Sequence, residues 1–391
     1  MNICLFSESQ FLPGLAGLGG YACWAIQSLQ ACGHRVTCIS RAAAPSAANI
    51  SAQTIYLNAA AGSFQERLVT LLRENEIELL WMQTLSSADV AVCRRACNET
   101  GAKLVCHLHV CPTSVMRGYT DCLAADWFDC CRGRRVGAFL YALLRYPICY
   151  LKRCCTERKH LRSIYHQSDA VVILSERFRS EFCRVAGLKA APKLHALPNP
   201  LLTTPPAALP EKRKEVLYVG RLPWQHKRVD RLLKAWHLLE KDFSDWQLTI
   251  VGEGPDMSRY EELSAELNLQ HVTFEGRHAP GEYYARASVF CLTSTCEGFG
   301  LVLIEAQAAG CVPVAFDSYA SVHDIIEDGV NGCLVKPFDI QAYADTLRDL
   351  MTDDSKRAQM ARVARDSVKR FSTDCMTAAI EKLFAEITAK K

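Results

Sequence analysis

Residues 289–315 read VFCLTSTCEGFGLVLIEAQAAGCVPVA, in which a short apolar run, a Gly-rich turn, a helical segment and a second apolar run follow one another. Apolar β-branched runs on either side of a helix spell a βαβ unit, the repeat of a parallel sheet covered by helices. Glu297 lies in the turn and Glu305 on the helix that the turn begins. Eight positions separate them. At about 100° per residue the second carboxylate returns to within roughly 80° of the first, so both can border one pocket. The backbone N–H groups of Phe299, Gly300 and Leu301 would stand unpaired and partly positive at the helix N-terminus, where a phosphate fits. The pattern suits a charged, hydroxyl-rich ligand. The plainer alternative is one Glu favouring the helix dipole and another in solvent.

Upstream, Val216-Leu217-Tyr218-Val219-Gly220-Arg221-Leu222 precedes Lys227 and a helical stretch from Val229 to Glu240. A buried strand that delivers Arg221 and Lys227 beyond its C-terminal end sets two cations at the crevice where open α/β sheets bind ligands, and diphosphate is their natural partner. As single residues, either could equally be a surface charge. Further strands are predicted at Gln247–Val251, Val272–Phe274, Val289–Leu292 and Val312–Ala315, alternating with helices; after the Asp328–Gly332 turn the remainder reads as helical. The Pro198-Asn199-Pro200 turn, Thr203-Thr204-Pro205-Pro206 and the charged run Glu211–Glu215 read as an interdomain linker.

Five segments, in this order, resemble glycosyltransferase family 4, the retaining nucleotide-sugar-dependent transferases of the glycosyltransferase-B fold. They are Gly220-Arg221-Leu222 with Lys227, Val251-Gly252-Glu253-Gly254-Pro255, Phe274-Glu275-Gly276-Arg277, Glu297 to Glu305, and Gly310-Cys311-Val312-Pro313-Val314. The resemblance is nearly continuous in the C-terminal half and reaches the N-terminal half at a few points. It implies an α/β chain with two Rossmann-like, doubly wound parallel-sheet domains facing a central cleft. The acceptor-side domain would span 1–205, with a C-terminal helix over 374–391 packing back on it, and the donor-binding domain 206–373. The resemblance also implies that Glu297 contacts the donor sugar as a catalytic residue, that Glu305 binds the ribose and that Arg221 and Lys227 hold the diphosphate. Gly252, Gly254, Arg277, Phe299, Gly300 and Leu301 would complete the donor site.

In the N-terminal half, a strand from Asn2 leads into a loop with Gly14, Gly17, Gly19 and Gly20, a helix to about Cys32, and a strand from His34 to Ser40. Gly17-Leu18-Gly19-Gly20 is not Gly-x-Gly-x-x-Gly, and the second strand ends in Ile39-Ser40-Arg41 without an acidic residue for a ribose, so a nicotinamide cofactor is not expected. The family resemblance brings Gly19 and Gly20 near the phosphates; otherwise the glycines serve a loop that needs positive φ. Further strands are predicted at Leu79–Met82, Lys103–Val110 and Ala170–Leu174. Histidines at the end of the Lys103 strand are the best source of a base, because an ordinary imidazole pKa near 6.5 suits proton transfer at neutral pH. His109 is the closer match to the family's loop position and His107 the reserve; Asn199 is explained as a turn former.

The chain has 391 residues, 49% of them hydrophobic and 22% charged, with a net charge of +3, which suits a globular protein of two or more domains. No basic segment precedes the first strand, so the sequence predicts a cytosolic protein. Twenty cysteines without a Cys-x-x-Cys pair read as reduced, buried small hydrophobes. Cys106-His107-Leu108-His109-Val110-Cys111 could line up three metal ligands on a strand face, but a closed zinc site needs a fourth that the local sequence lacks. No Asp-x-Asp occurs, so neither a metal nor another cofactor is expected, and the leaving diphosphate would rely on Arg221, Lys227 and the amides near Phe299 and Gly300.

From Cys130 to Tyr165, nine basic residues face one acid, Glu157, and are interleaved with Phe139, Leu140, Tyr141, Leu143, Leu144, Tyr146, Ile148, Tyr150 and Leu151. The apolar run is too short to span a bilayer of about 30 Å, and Arg145 and Pro147 interrupt it. It fits an element lying on an anionic membrane surface, peripheral on the cytoplasmic side, or a helix pair with a solvated basic face. No recognition motif for nucleic acid accompanies the charge. The sequence therefore predicts transfer of a sugar from a UDP- or GDP-sugar to a glycan or lipid-linked hydroxyl, in polysaccharide or lipopolysaccharide synthesis. The alternatives are a nucleotide-sugar epimerase of the same architecture and a non-catalytic sugar-binding protein.

Overall fold

The computed structural model describes residues 1–7, 18–40, 52–56, 64–83, 86–133, 136–204 and 211–389; the expectations for Gly14, Gly17, Arg134 and Arg135 lie outside them. The first sheet contains β1 (Asn2–Ser7), β2 (Arg35–Ser40), β3 (Gln53–Tyr56), β4 (Leu79–Met82), β5 (Lys103–Leu108), β6 (Ala170–Ile173) and β7 (Leu194–Ala196), in the spatial order β3-β2-β1-β4-β5-β6-β7. Every strand pair is parallel. Helices α1 (Leu18–Ala31), α2 (Phe64–Glu74), α3 (Ser87–Thr100), α4 (Ser114–Cys131), α5 (Val136–Gln167) and α6 (Phe178–Ala186) accompany it in the chain. The central strands read as unbroken apolar runs because helices cover both faces; all four residues of β4 are buried.

The second sheet contains β8 (Arg213–Val219), β9 (Gln247–Val251), β10 (Val272–Gly276), β11 (Ala287–Leu292), β12 (Val312–Phe316) and β13 (Cys333–Val335), in the order β10-β9-β8-β11-β12-β13. Its helices are α7 (Trp224–Lys227), α8 (Val229–His237), α9 (Met257–Glu266), α10 (Gly281–Arg286), α11 (Leu301–Ala308), α12 (Ile340–Thr352) and α13 (Asp354–Ser367). The last helix, α14 (Thr373–Ala389), joins the first core, where Met376, Ile380, Leu383, Phe384 and Ile387 are buried with α1 and β4 residues such as Ile26 and Trp81.

The chain divides into two compact units, Met1–Pro112 with Cys154–Leu202 and Phe371–Lys391, and Thr113–Arg153 with Thr203–Arg370. Residues 113–153, assigned by the sequence reading to the first domain, thus group with the second sheet.

Four sequence expectations change. The charged run Glu211–Glu215 is not all linker: β8 begins at Arg213, and Glu215 is buried because Arg286 pairs with it at 2.8 Å and Thr249 donates to it at 2.6 Å. Cys333–Val335 is a strand on the sheet edge, within a segment read as helical. β5 stops at Leu108, so His109 lies beyond the ladder. Gly19 and Gly20 lie in the first turn of α1, and their φ values are not positive.

Candidate active site

In the second sheet the chain winds outward in one direction from β8 and in the other from β11, and these two strands are neighbours, with Val216 opposite Val289 and Leu217 opposite Phe290. Strand order therefore reverses between them, and the segments leaving their carboxyl ends flank an opening that neither connection covers. The segment after β8 carries Arg221 and Lys227; the segment after β11 carries Ser294, Glu297 and the N-terminus of α11. The fold thus brings together residues about seventy positions apart.

Lys227 Nζ lies 2.6 Å from Glu297 Oε1, and Ser294 Oγ donates to the same oxygen at 2.6 Å. Both charged side chains are largely enclosed, at 17% and 15% exposure, so each is the other's main counter-charge. Arg221 is exposed, and its guanidinium has no partner among the described residues; its carbonyl accepts from the buried Tyr218 hydroxyl at 3.1 Å. Glu305, one face of α11 away, accepts from Tyr284 Oη at 3.0 Å. Burial raises the Glu305 pKa above the usual carboxylate range, and the Tyr284 bond opposes that shift. Gly300 caps α11 with φ 103°, a conformation that a side chain would strain.

The glycines of the Gly252–Gly254 segment serve another purpose. A Cβ on Gly252 would lie 1.8 Å from the Gly220 carbonyl oxygen, and one on Gly254 would lie 2.5 Å from the Leu222 carbonyl carbon. Leu222 N–H donates to Glu253 O at 2.9 Å and Gly220 N–H to Val251 O at 3.0 Å. These glycines let one backbone lie against another and so fix the segment that carries Arg221. Arg277 reaches Glu253 at 3.2 Å in a surface pair, 70% and 59% exposed.

The Lys227 segment is held in an unusual backbone. His226 has φ 69° and ψ −40°, and Arg228 has φ 47°. Helix α4 meets this segment. Asp121, 2% exposed, accepts from the His226 N–H at 3.1 Å and from Thr295 Oγ1 at 3.1 Å, and pairs with Arg228 at 3.1 Å. Arg117 donates to Thr295 O at 3.1 Å and also bonds Ser318 O. Gly118 lies where a Cβ would approach the His226 ring to 2.6 Å. None of these α4 residues was marked by the sequence, in which Asp121 is one of three acids of the helix, with Asp126 and Asp129, and nothing local singles it out.

In the first unit, His109 Nε2 donates to Gln83 Oε1, and burial lowers the His109 pKa to about 3. The expectation of an ordinary imidazole base at this position is therefore not met. His107 is fully buried, stacked on Trp81 at 5.8 Å, and burial likewise lowers its pKa. Among the described residues no group of three or more His, Cys, Asp or Glu could hold a metal ion.

Residues 204–367 match the family model described as glycosyl transferases group 1, a span that includes Arg221, Lys227, Glu297 and Glu305. An exopolysaccharide phosphotransferase of Streptomyces coelicolor is 34% identical over 236 residues, 57% of this chain and 24% of that protein. A GDP-mannose-dependent alpha-(1-6)-phosphatidylinositol monomannoside mannosyltransferase of Mycolicibacterium smegmatis is 31% identical over 232 residues, 53% of this chain and 59% of that protein. The chain thus spans between 24% and 59% of the length of these relatives. The crystal structure of Anabaena HepE in complex with UDP matches 99% of this chain and 100% of that one, with a TM-score of 0.74 at 19% identity. Two Rossmann-like parallel-sheet domains in one chain are the glycosyltransferase-B fold.

Proposed function

We propose that this chain is a glycosyltransferase that moves a sugar, with retention of configuration, from a UDP- or GDP-sugar to a hydroxyl of a glycan or lipid-linked acceptor. The observation that carries this reading is the ion pair of Lys227 with Glu297 between the segments that follow β8 and β11, with Arg221 on the first of these segments and Glu305 on the helix that follows the second. The similarity of residues 204–367 to group 1 glycosyltransferases supports it, as does the UDP held by HepE.

The chemistry follows from the charges. Breaking the bond between sugar and diphosphate puts negative charge on the leaving phosphate. Arg221, which is exposed, and Lys227 would receive that charge together with the first amides of α11, and donors preorganised for developing charge lower the barrier. A bound diphosphate would draw Lys227 from Glu297 and leave that carboxylate to hold the sugar. Glu305 would accept from the ribose hydroxyls through the oxygen that Tyr284 leaves open. The absence of Asp-x-Asp from the sequence supports a reaction in which cationic side chains take the place of a metal. His109 would contact the donor beside Gln83, with its basicity reduced by burial.

The acceptor is proposed to be presented at an anionic membrane surface. Helix α5 exposes Leu140, Tyr141, Leu144, Ile148 and Leu151, between 53% and 80% each, with Arg145 and Lys152 also exposed beside them. No described helix is long and apolar enough to cross a membrane.

UDP- and GDP-sugars, screened first for thermal stabilisation and then for transfer with the product anomer read by NMR, test the reading. Glu297→Gln should lower kcat on the order of a hundredfold, as loss of a charge-stabilising group does, and chelator should leave the rate unchanged. A Glu297→Gln rate within a few-fold of wild type overturns the catalytic assignment, and a strict need for magnesium or manganese overturns the metal-free one.

A further inference from the structure

Lys227 is flanked on both sides by residues in left-handed backbone, His226 at φ 69° and Arg228 at φ 47°. Such conformations are strained for residues with side chains and persist only where the surroundings impose them. The constraint comes chiefly from one buried side chain. Asp121 on α4 accepts the His226 N–H and pairs with the Arg228 guanidinium, so it grips the chain immediately before and immediately after Lys227. It also accepts from the Oγ1 of Thr295, two residues before Glu297, and the Thr295 N–H donates to His226 O at 2.6 Å. Arg228 is drawn to Asp230 as well, at 2.9 Å, which leaves Asp121 at the centre of a closed network. Arg117, one helical turn earlier, holds the Thr295 and Ser318 carbonyls, and Gly118 between them leaves room for the His226 ring.

We infer that Asp121 is a positioning residue that sets Lys227 against Glu297, with α4 acting as a clamp on the segments that follow β8 and β11. It touches neither charge of the pair directly. Its three acceptor contacts fix the backbone on both sides of Lys227 and, through Thr295, the approach to Glu297. The role in turnover rests on the donor site proposed above; the positioning itself does not.

The test uses Asp121→Asn, which keeps the volume but must turn a donor toward one of the three groups that Asp121 accepts from. In the unliganded protein, hydrogen exchange should quicken at residues 224–228 and 294–297 and stay unchanged in the β8 and β11 interiors. Unchanged exchange at those two segments overturns the inference. In transfer from whichever UDP- or GDP-sugar the screen identifies, Asp121→Asn should lower kcat at least tenfold with donor KM within threefold. The Asp121→Asn/Lys227→Ala double variant should be no slower than Lys227→Ala alone. Losses that multiply would show a general structural role and overturn it too. If the wild type binds neither UDP nor GDP, the functional reading falls, and the clamp stands or falls on the exchange result alone.

Discussion

Glu305 shows how burial and binding compete at a single side chain. Burial raises its pKa, the bond from Tyr284 opposes that shift, and the folded state holds the proton more tightly than the unfolded chain does. The stability this contributes is present below the unfolded carboxylate value, near 4.3, and is lost as pH rises through the raised folded value. Glu305→Gln should therefore melt higher than wild type at pH 7.5 and level with it near pH 4, while losing donor affinity; thermal melts at the two pH values check this, and a lower melting temperature at pH 7.5 refutes it. The placement of Glu305, Glu297, Arg221 and Lys227 after β8 and β11 was legible in the sequence, because each stands at a fixed place in a strand–turn–helix order. Their partners were not. Tyr284 lies 21 residues from Glu305 and Asp121 lies 174 from Thr295, and no local pattern encodes which distant group satisfies a buried one. The His109 residue type likewise predicts an ordinary imidazole pKa, and the burial that lowers it is visible only in the structure.

At the scale of elements, the expected central strands are present, and those without any sequence signal are β3, β7 and β13, all at sheet edges and only three or four residues long. An edge strand buries less and carries a weaker apolar pattern, so periodicity does not mark it. Composition marked α5 correctly as unusual, but the structure shows which face is which. Tyr146 stacks on Tyr119 and Tyr150, and Phe139 packs on Trp127, so one side docks on α4. Leu140, Leu144, Ile148 and Leu151 fall within about 80° of each other around the helix and form an exposed ridge. Arg132, one of the nine basic residues between Cys130 and Tyr165, pairs with Glu266. The sharper test is therefore on the ridge. Burying each of these side chains in an apolar phase is worth about 1.5 to 3 kcal/mol, so Leu144→Asp with Ile148→Asp should release the protein from anionic vesicles at low salt and leave transfer to a soluble acceptor intact. Flotation that is unchanged by the double substitution would place the membrane contact elsewhere.

At the scale of the whole molecule, the chain enters the first unit, leaves it at Pro112, returns over Cys154–Leu202 and returns again at Phe371, so the first unit is complete only when the last twenty-one residues are in place. The β1–β4 core and α1 present an apolar face that α14 covers with Met376, Ile380, Leu383, Phe384 and Ile387; Phe384 meets Trp81 edge-on at 5.0 Å, and Glu381 accepts from His34 at 2.8 Å. Five buried apolar side chains at about 1.5 to 3 kcal/mol each amount to roughly 10 kcal/mol, comparable to the whole stability of a typical domain. The second sheet, Thr203–Arg370, contains no part of that helix. Truncation after Arg370 should therefore unfold the first unit selectively. Its amides, β4 and β5 included, should lose protection from hydrogen exchange, while β8, β9 and β11 remain protected and a nucleoside diphosphate still stabilises what is left. A synthetic peptide of residues 371–391 added in trans should restore part of that protection, because its binding and the refolding of the first sheet are coupled through the shared core. Loss of protection in both sheets together would mean that the two units fold as one, and retained protection in the first would mean that α14 adds little to its core.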